Sequence, residues 1–179
     1  MNFKLPKKNW KLFPKDSMTF ILNESKEYLG YTLNESDKIT NRAFSLVLVL
    51  TTILISILGF TFSRMISDEI DKTVYLNIYL SIIITAFIVY LSTLIFPKQM
   101  MQKGRKPNQL AKESLLINEK LTPEEIYLSF IIREVEDIQD KIDFNLAKNK
   151  KRRNKLELAM YLIAVLIPIY FLIAIYVIN

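Results

Sequence analysis

Residues 43–62 read AFSLVLVLTTILISILGFTF, twenty residues without a charge, bounded by Arg42 on one side and Ser63-Arg64 on the other. At about 1.5 Å per residue, such a stretch covers roughly 30 Å as a helix, the thickness of a bilayer's hydrocarbon core. Two further blocks follow the same pattern. Residues 74–96 lie between Lys72 and Lys98, and residues 158–178 are preceded by Lys155 and Glu157. Three such blocks without an Asp, Glu, Lys or Arg predict three transmembrane helices. The first begins past residue 40 and lacks a small-x-small exit, so it reads as a retained span and not a cleaved signal.

The remaining residues fit this division. Of 179 residues 23% are charged, yet the mean hydropathy is +0.20, because the charges are segregated into blocks. Histidine and cysteine are absent. Thiol or imidazole nucleophiles, disulfides, thiolate or imidazole metal sites and a histidine pH switch are therefore excluded. Three glycines are too few for a glycine-rich phosphate loop. No catalytic residues, metal or cofactor are expected.

Cations set the orientation. Residues 1–42 hold eight Lys and Arg, the connection 63–73 holds two, and residues 97–157 hold fourteen. By the excess of cations on the cytoplasmic side, residues 1–42 and 97–157 are expected in the cytoplasm, with the C-terminus outside. The expected organisation is thus all-helical: a cytoplasmic segment and helix (1–42), a transmembrane hairpin (43–96), a cytoplasmic helical region (97–157) and a third span (158–179). The lysines around the lone Trp10 suit a bilayer surface. Asp16 or Ser17 is expected to cap a helix that continues into the first span, with Ile21, Leu22, Tyr28, Leu29, Leu33 and Ile39 at helical spacing. A short helix is expected over 110–121. Thr122-Pro123-Glu124-Glu125 matches a capping box with proline at the first helical position. Beyond it Ile131, Val135, Ile138, Ile142 and Leu146 form one apolar stripe, to be packed on the first helix or on neighbouring subunits. With no proline or glycine from Glu124 to Ile167, this helix should run on into the third span, on the order of 80 Å in all.

Within the spans, small and hydroxyl residues fall on single faces. Ser45, Thr52, Ser56, Gly59 and Ser63 are spaced 7, 4, 3 and 4 apart, and Asn77, Ser81, Thr85 and Ser92 are spaced 4, 4 and 7. Such faces either line a pore or let helices pack closely. Lys148, Lys150, Lys151, Arg152, Arg153 and Lys155 form a basic run before the third span, suited to anionic lipid headgroups or to an anionic ligand such as a nucleotide signal. No carboxylate or cation lies inside a span, which argues against an ion-coupled transporter or a voltage sensor.

Asp37-Lys38 and Asn41-Arg42-Ala43 lead into the first span, the second span ends at Pro97, and Asn145, Asn149, Arg152 and Lys155 stand on the second cytoplasmic helix. This arrangement resembles the small bacterial antiphage membrane effectors, the SLATT-like and Pycsar-type proteins and the type VI CRISPR accessory membrane proteins. The resemblance implies an oligomer that permeabilises the bacterial inner membrane on an infection signal, with a nucleotide messenger or a defence protein as partner. Two departures stand out: the third span, and the lack of a separate sensing domain. A degenerate RNase pattern linked to one of these families needs a histidine after arginine. Here Glu157 stands five residues past Arg152, so ribonuclease activity is not implied. The leading expectation is a homo-oligomeric channel or pore. The alternatives are a membrane scaffold for a cytosolic partner and a holin-like protein.

Overall fold

A computed structural model describes residues 4–5, 8–68, 70–96, 99–105, 117 and 120–178. The fold is all-helical, with no strand among the described residues. A 3-10 turn, Trp10–Leu12, precedes three helices: α1 (Lys15–Ile66), α2 (Lys72–Ile95) and α3 (Pro123–Ile178). All three are long and apolar enough to cross a membrane. α1 and α3 are each unbroken through their charged and apolar parts, as the sequence predicts. α1 starts at Lys15, with the Met18 amide donating to the Pro14 carbonyl, so Asp16 and Ser17 fall inside its first turn and do not cap it. The helix expected over 110–121 falls largely outside the described residues.

Local chemistry sets the helix ends. Asp71 precedes α2 and its side chain accepts from the Val74 amide at 3.1 Å, while its other oxygen pairs with Arg64 at 3.0 Å. At the head of α3 the capping box forms in both directions. The Thr122 amide donates to Glu125 Oε2 at 2.9 Å, and the Glu125 amide donates to Thr122 Oγ1 at 3.2 Å. Pro168 lies inside α3, where it lacks the amide that would bond the carbonyl four residues earlier.

The chain divides into two compact units. The first comprises Met1–Ser36 and Gln99–Asn149, the second Asp37–Lys98 and Lys150–Asn179. In the first, α1 and α3 run parallel. Met18 packs with Leu128, Ile131 and Val135, and Leu29 packs with Ile138 and Ile142. The buried positions of α3 here are 128, 131, 135, 138, 142, 145 and 149, alternately three and four apart. That is a coiled-coil seam, in which a 3.5-residue repeat keeps one stripe against its partner. On α1 the same seam is Met18, Leu22, Leu29, Thr32 and Ser36. Ile21 and Tyr28, expected on it, are exposed.

In the second unit, three helices share one apolar core. Ile39, Ala43 and Leu50 of α1 meet Leu80, Ile84 and Leu91 of α2 and Leu156 and Ala159 of α3. α2 runs antiparallel to the other two. The small Ala43 and Ala159, both fully buried, allow close helix approach.

A strap, residues 99–105, lies along α3 in the first unit. Lys141 donates to the Gly104 carbonyl at 3.0 Å, and Arg105 reaches Asp137 at 3.0 Å and Glu134 at 3.5 Å. Gly104 has φ 77°, a left-handed conformation that favours glycine. Burial pushes the Asp137 carboxyl up, but hydrogen bonds from Lys141 and Arg105 outweigh it and hold the group below its ordinary value of 3.8. The Thr122 amide, and then Lys11, likewise lower Glu125 from 4.5. A carboxylate depressed in the folded state contributes stability above its unfolded pKa and loses it as pH falls through the folded one. Asp137→Asn should therefore melt below the parent at pH 7, by about 1 kcal/mol after solvent screening. The difference should shrink as the pH falls below about 4, where the parent carboxyls protonate. Thermal melts of both proteins across that range would check this.

Candidate functional site

The two stripes of small and hydroxyl residues have different surroundings. On α1, Ser45, Thr52, Ser56, Gly59 and Ser63 are all exposed. At about 100° per residue their face lies roughly 170° from the one bearing Ala43, Leu50 and Leu54, so it points away from the other two helices of the unit. The Thr52 and Ser56 hydroxyls donate to the carbonyls of Leu48 and Thr52, at 3.1 and 3.0 Å. Their donors are satisfied by the helix itself, which leaves oxygen lone pairs facing outward. A Cβ added at Gly59 would meet nothing within 4 Å.

On α2, Asn77 and Ser81 turn inward and are buried, Thr85 is exposed and Ser92 is half-buried. The Tyr170 hydroxyl of α3 donates to Asn77 Oδ1 at 2.8 Å, a hydrogen bond between helices in the apolar part of the unit. Ser81 Oγ is buried without a hydrogen-bond partner. This end of the α2 stripe therefore packs within the chain.

The basic run also divides. Arg152 turns inward and donates at 2.7 Å both to Thr40 Oγ1 and to the Leu94 carbonyl. Leu94 lies in the last turn of α2, whose carbonyls have no helical partner, so Arg152 caps that helix with positive charge at its negative end. Burial lowers the guanidinium pKa and Asp37 raises it, but the group stays charged. Lys148 donates to Gln99 Oε1 at 3.4 Å and lies over the Phe144 ring. Lys150, Lys151, Arg153 and Lys155 are exposed.

Of the apolar stripe on α3, Ile131, Val135, Ile138 and Ile142 are buried against α1 of the same chain. Leu146, by contrast, is 39% exposed. The seam advances by three after Ile142, so Asn145 takes the inward position that the stripe assigned to Leu146. Asn145 is fully buried, and three hydrogen bonds use its amide group. It donates to Thr32 Oγ1 at 3.1 Å and to the Met101 carbonyl at 3.0 Å, and accepts from the Met101 amide at 2.9 Å. One turn on, Asn149 donates to the Thr32 carbonyl at 2.7 Å. A polar layer of this kind fixes the register of two parallel helices, and here it also ties down the strap. Asn145→Ala would leave the buried Thr32 hydroxyl oxygen and the Met101 backbone without this partner, at a cost of about 2 kcal/mol. Leu146→Ala should cost less than about 0.5 kcal/mol. Denaturation of the two variants in detergent separates these outcomes.

Trp10 is half-buried. It packs, with Phe13, on the cluster of Met18, Leu128 and Ile131, while Lys11 pairs with Glu125 at 3.0 Å and Lys15 lies over the Tyr127 ring. This aromatic completes an apolar core, and Lys11 and Lys15 beside it contact α3. Among the described residues no three acidic side chains converge on a metal-holding group. Comparison with family models, curated proteins and solved structures finds no match.

Proposed function

We propose that the protein is a homo-oligomeric channel of the bacterial inner membrane, with residues 1–42 and 97–157 in the cytoplasm and the C-terminus outside. The observation that carries this reading is the outward face of Ser45, Thr52, Ser56, Gly59 and Ser63, opposite the inward face of the same helix. Large apolar residues flank it: Leu48 and Ile55 on one side, Val49 and Ile53 on the other. Copies arranged with this face towards a common axis would line a path with hydroxyl oxygens and keep the apolar flanks in contact with neighbours or lipid. The first unit is joined to that wall by α1 itself, so a change in its seam is a route for gating by a nucleotide signal or a defence protein.

The scaffold reading draws on one observation of its own. Phe20, Tyr28 and Tyr31 are about half exposed or more on the charged part of α1, an aromatic surface that would suit a cytosolic partner.

Purified protein in liposomes tests the proposal. Stepwise currents, with particle images showing a ring, are the expected result, and a non-conducting monomer would favour the scaffold. A C-terminal phosphatase fusion should be active and a fluorescent fusion dark. The reverse pattern would overturn the orientation.

A further inference from the structure

With Arg152 turned inward, the cations left exposed before the third apolar block do not share one face. Lys150 and Arg153 lie with Glu157, which follows them by seven and four positions, so that face offsets part of its own charge. Lys151 and Lys155, four apart, lie on another face, and no acid follows them on it. The next positions on that face are Leu158, Leu162 and Val165, which are 53%, 49% and 56% exposed. Ten helical residues cover about 15 Å, half of the hydrocarbon thickness. The face thus pairs two cations with an apolar strip about one leaflet long. The Tyr90 hydroxyl, 3.5 Å from the Lys155 carbonyl, sets a phenol at the same level, as aromatic residues are at headgroup depth.

We propose that this face of α3 is a seat for an anionic glycerophospholipid of the cytoplasmic leaflet. The phosphate lies at the Lys151 and Lys155 ammonium groups, and an acyl chain runs along Leu158, Leu162 and Val165. The inference rests on the membrane-spanning part of the proposed function and not on conduction. Charge complementarity selects a lipid over a second copy of the chain. Among the described residues of this unit the acids at this level are Asp37, which acts on Arg152, and Glu157, in line with Arg153. Within the chain neither acid stands on the face of Lys151 and Lys155, which leaves that face purely cationic.

Native mass spectrometry of the full chain, loaded with equal amounts of phosphatidylglycerol and phosphatidylcholine of the same acyl composition, tests the seat. The parent should retain phosphatidylglycerol in preference by on the order of tenfold. K151Q/K155Q should bring the two lipids close to parity, and K150Q/R153Q should keep most of the preference. All four side chains are exposed, so both variants are expected to fold, with melting temperature as the check. A parent without preference would overturn the proposal, as would equal losses in the two variants, which would mean diffuse attraction. Displacement of the lipid by excess inorganic phosphate would reassign the lysines to a soluble anion and overturn it too. Disulfide pairing between copies at Leu162→Cys would show the strip covered by a subunit, with the same consequence. Liposome currents are read separately: their absence with the lipid preference intact would remove the channel and leave the seat.

Discussion

Ile138→Asp should unfold the first unit. Ile138 is 1% exposed and packs between Leu29 of α1 and Ile142 of its own helix. Removing its apolar side chain alone costs roughly 2–5 kcal/mol, since the cavity closes only in part. A carboxylate placed there has no cation on the seam to pair with, and burying it adds several kcal/mol unless it takes up a proton. The combined cost is comparable with the roughly 5–15 kcal/mol that keeps a typical domain folded. Limited proteolysis should show new cuts between Pro123 and Asn149, and helical signal should be lost at lower temperature. Ile138→Val, which removes one methylene, should cost only about 1 kcal/mol. Leu146→Asp, eight residues on but outside the seam, should leave the protein close to the parent. If Ile138→Asp melted with the parent, the parallel packing of α1 on α3 would be wrong.

The contrast between Ile138 and Leu146 shows where the sequence was legible. Long uncharged blocks announce helices able to cross a membrane, because about twenty residues of high hydropathy without a charge match the hydrocarbon thickness. The capping box at Thr122 was legible for a similar reason: its chemistry is contained in four consecutive residues. The seam was only partly so. Hydropathy assigns leucine inward and asparagine outward, which picks Leu146 over Asn145 and passes over Thr32 and Ser36. The alternating spacing of three and four, continued past Ile142, would have placed Asn145 and Asn149 inside, at the cost of accepting polar residues in a core. Arg152 falls on the same continuation, three past Asn149 and four before Leu156. In a run of like charges only that phase marks it as the one that turns inward.

The direction of the two hydroxyl stripes was not legible at all. A helix within a bilayer can be apolar on every side, so no contrast of burial against solvent marks its inner face. Asn77 and Ser81 of α2 and Ser45 to Ser63 of α1 look alike in spacing. What separates them is Tyr170, ninety-three residues from Asn77 in the chain, whose hydroxyl holds Asn77 within the unit.

In the proposed channel, cysteine placed at Thr52 or Ser56 should make the current sensitive to a charged thiol reagent, with most of it lost or altered on modification. The chain has no native cysteine, so the effect of each introduced thiol is read without background. Both hydroxyls bond only to the carbonyl of the preceding turn, and their loss exposes no buried partner, so the substitutions should cost little stability. Both residues face away from α2 and α3 in the single chain, as a pore wall requires. A charge fixed in a narrow path of low dielectric acts strongly on a passing ion, whereas the same charge facing lipid does not. Ile55→Cys is the control. It is 65% exposed, so accessibility within one chain does not distinguish it from Ser56, but it lies on the adjacent apolar flank. A current that responds at Ser56 and ignores Ile55 would place the axis on the hydroxyl face. Equal responses would mean that α1 presents no fixed wall. A current indifferent to every α1 thiol would move the path to α2, where Thr85 is the exposed member of the stripe and Ser81 would have to turn out of its packing to take part.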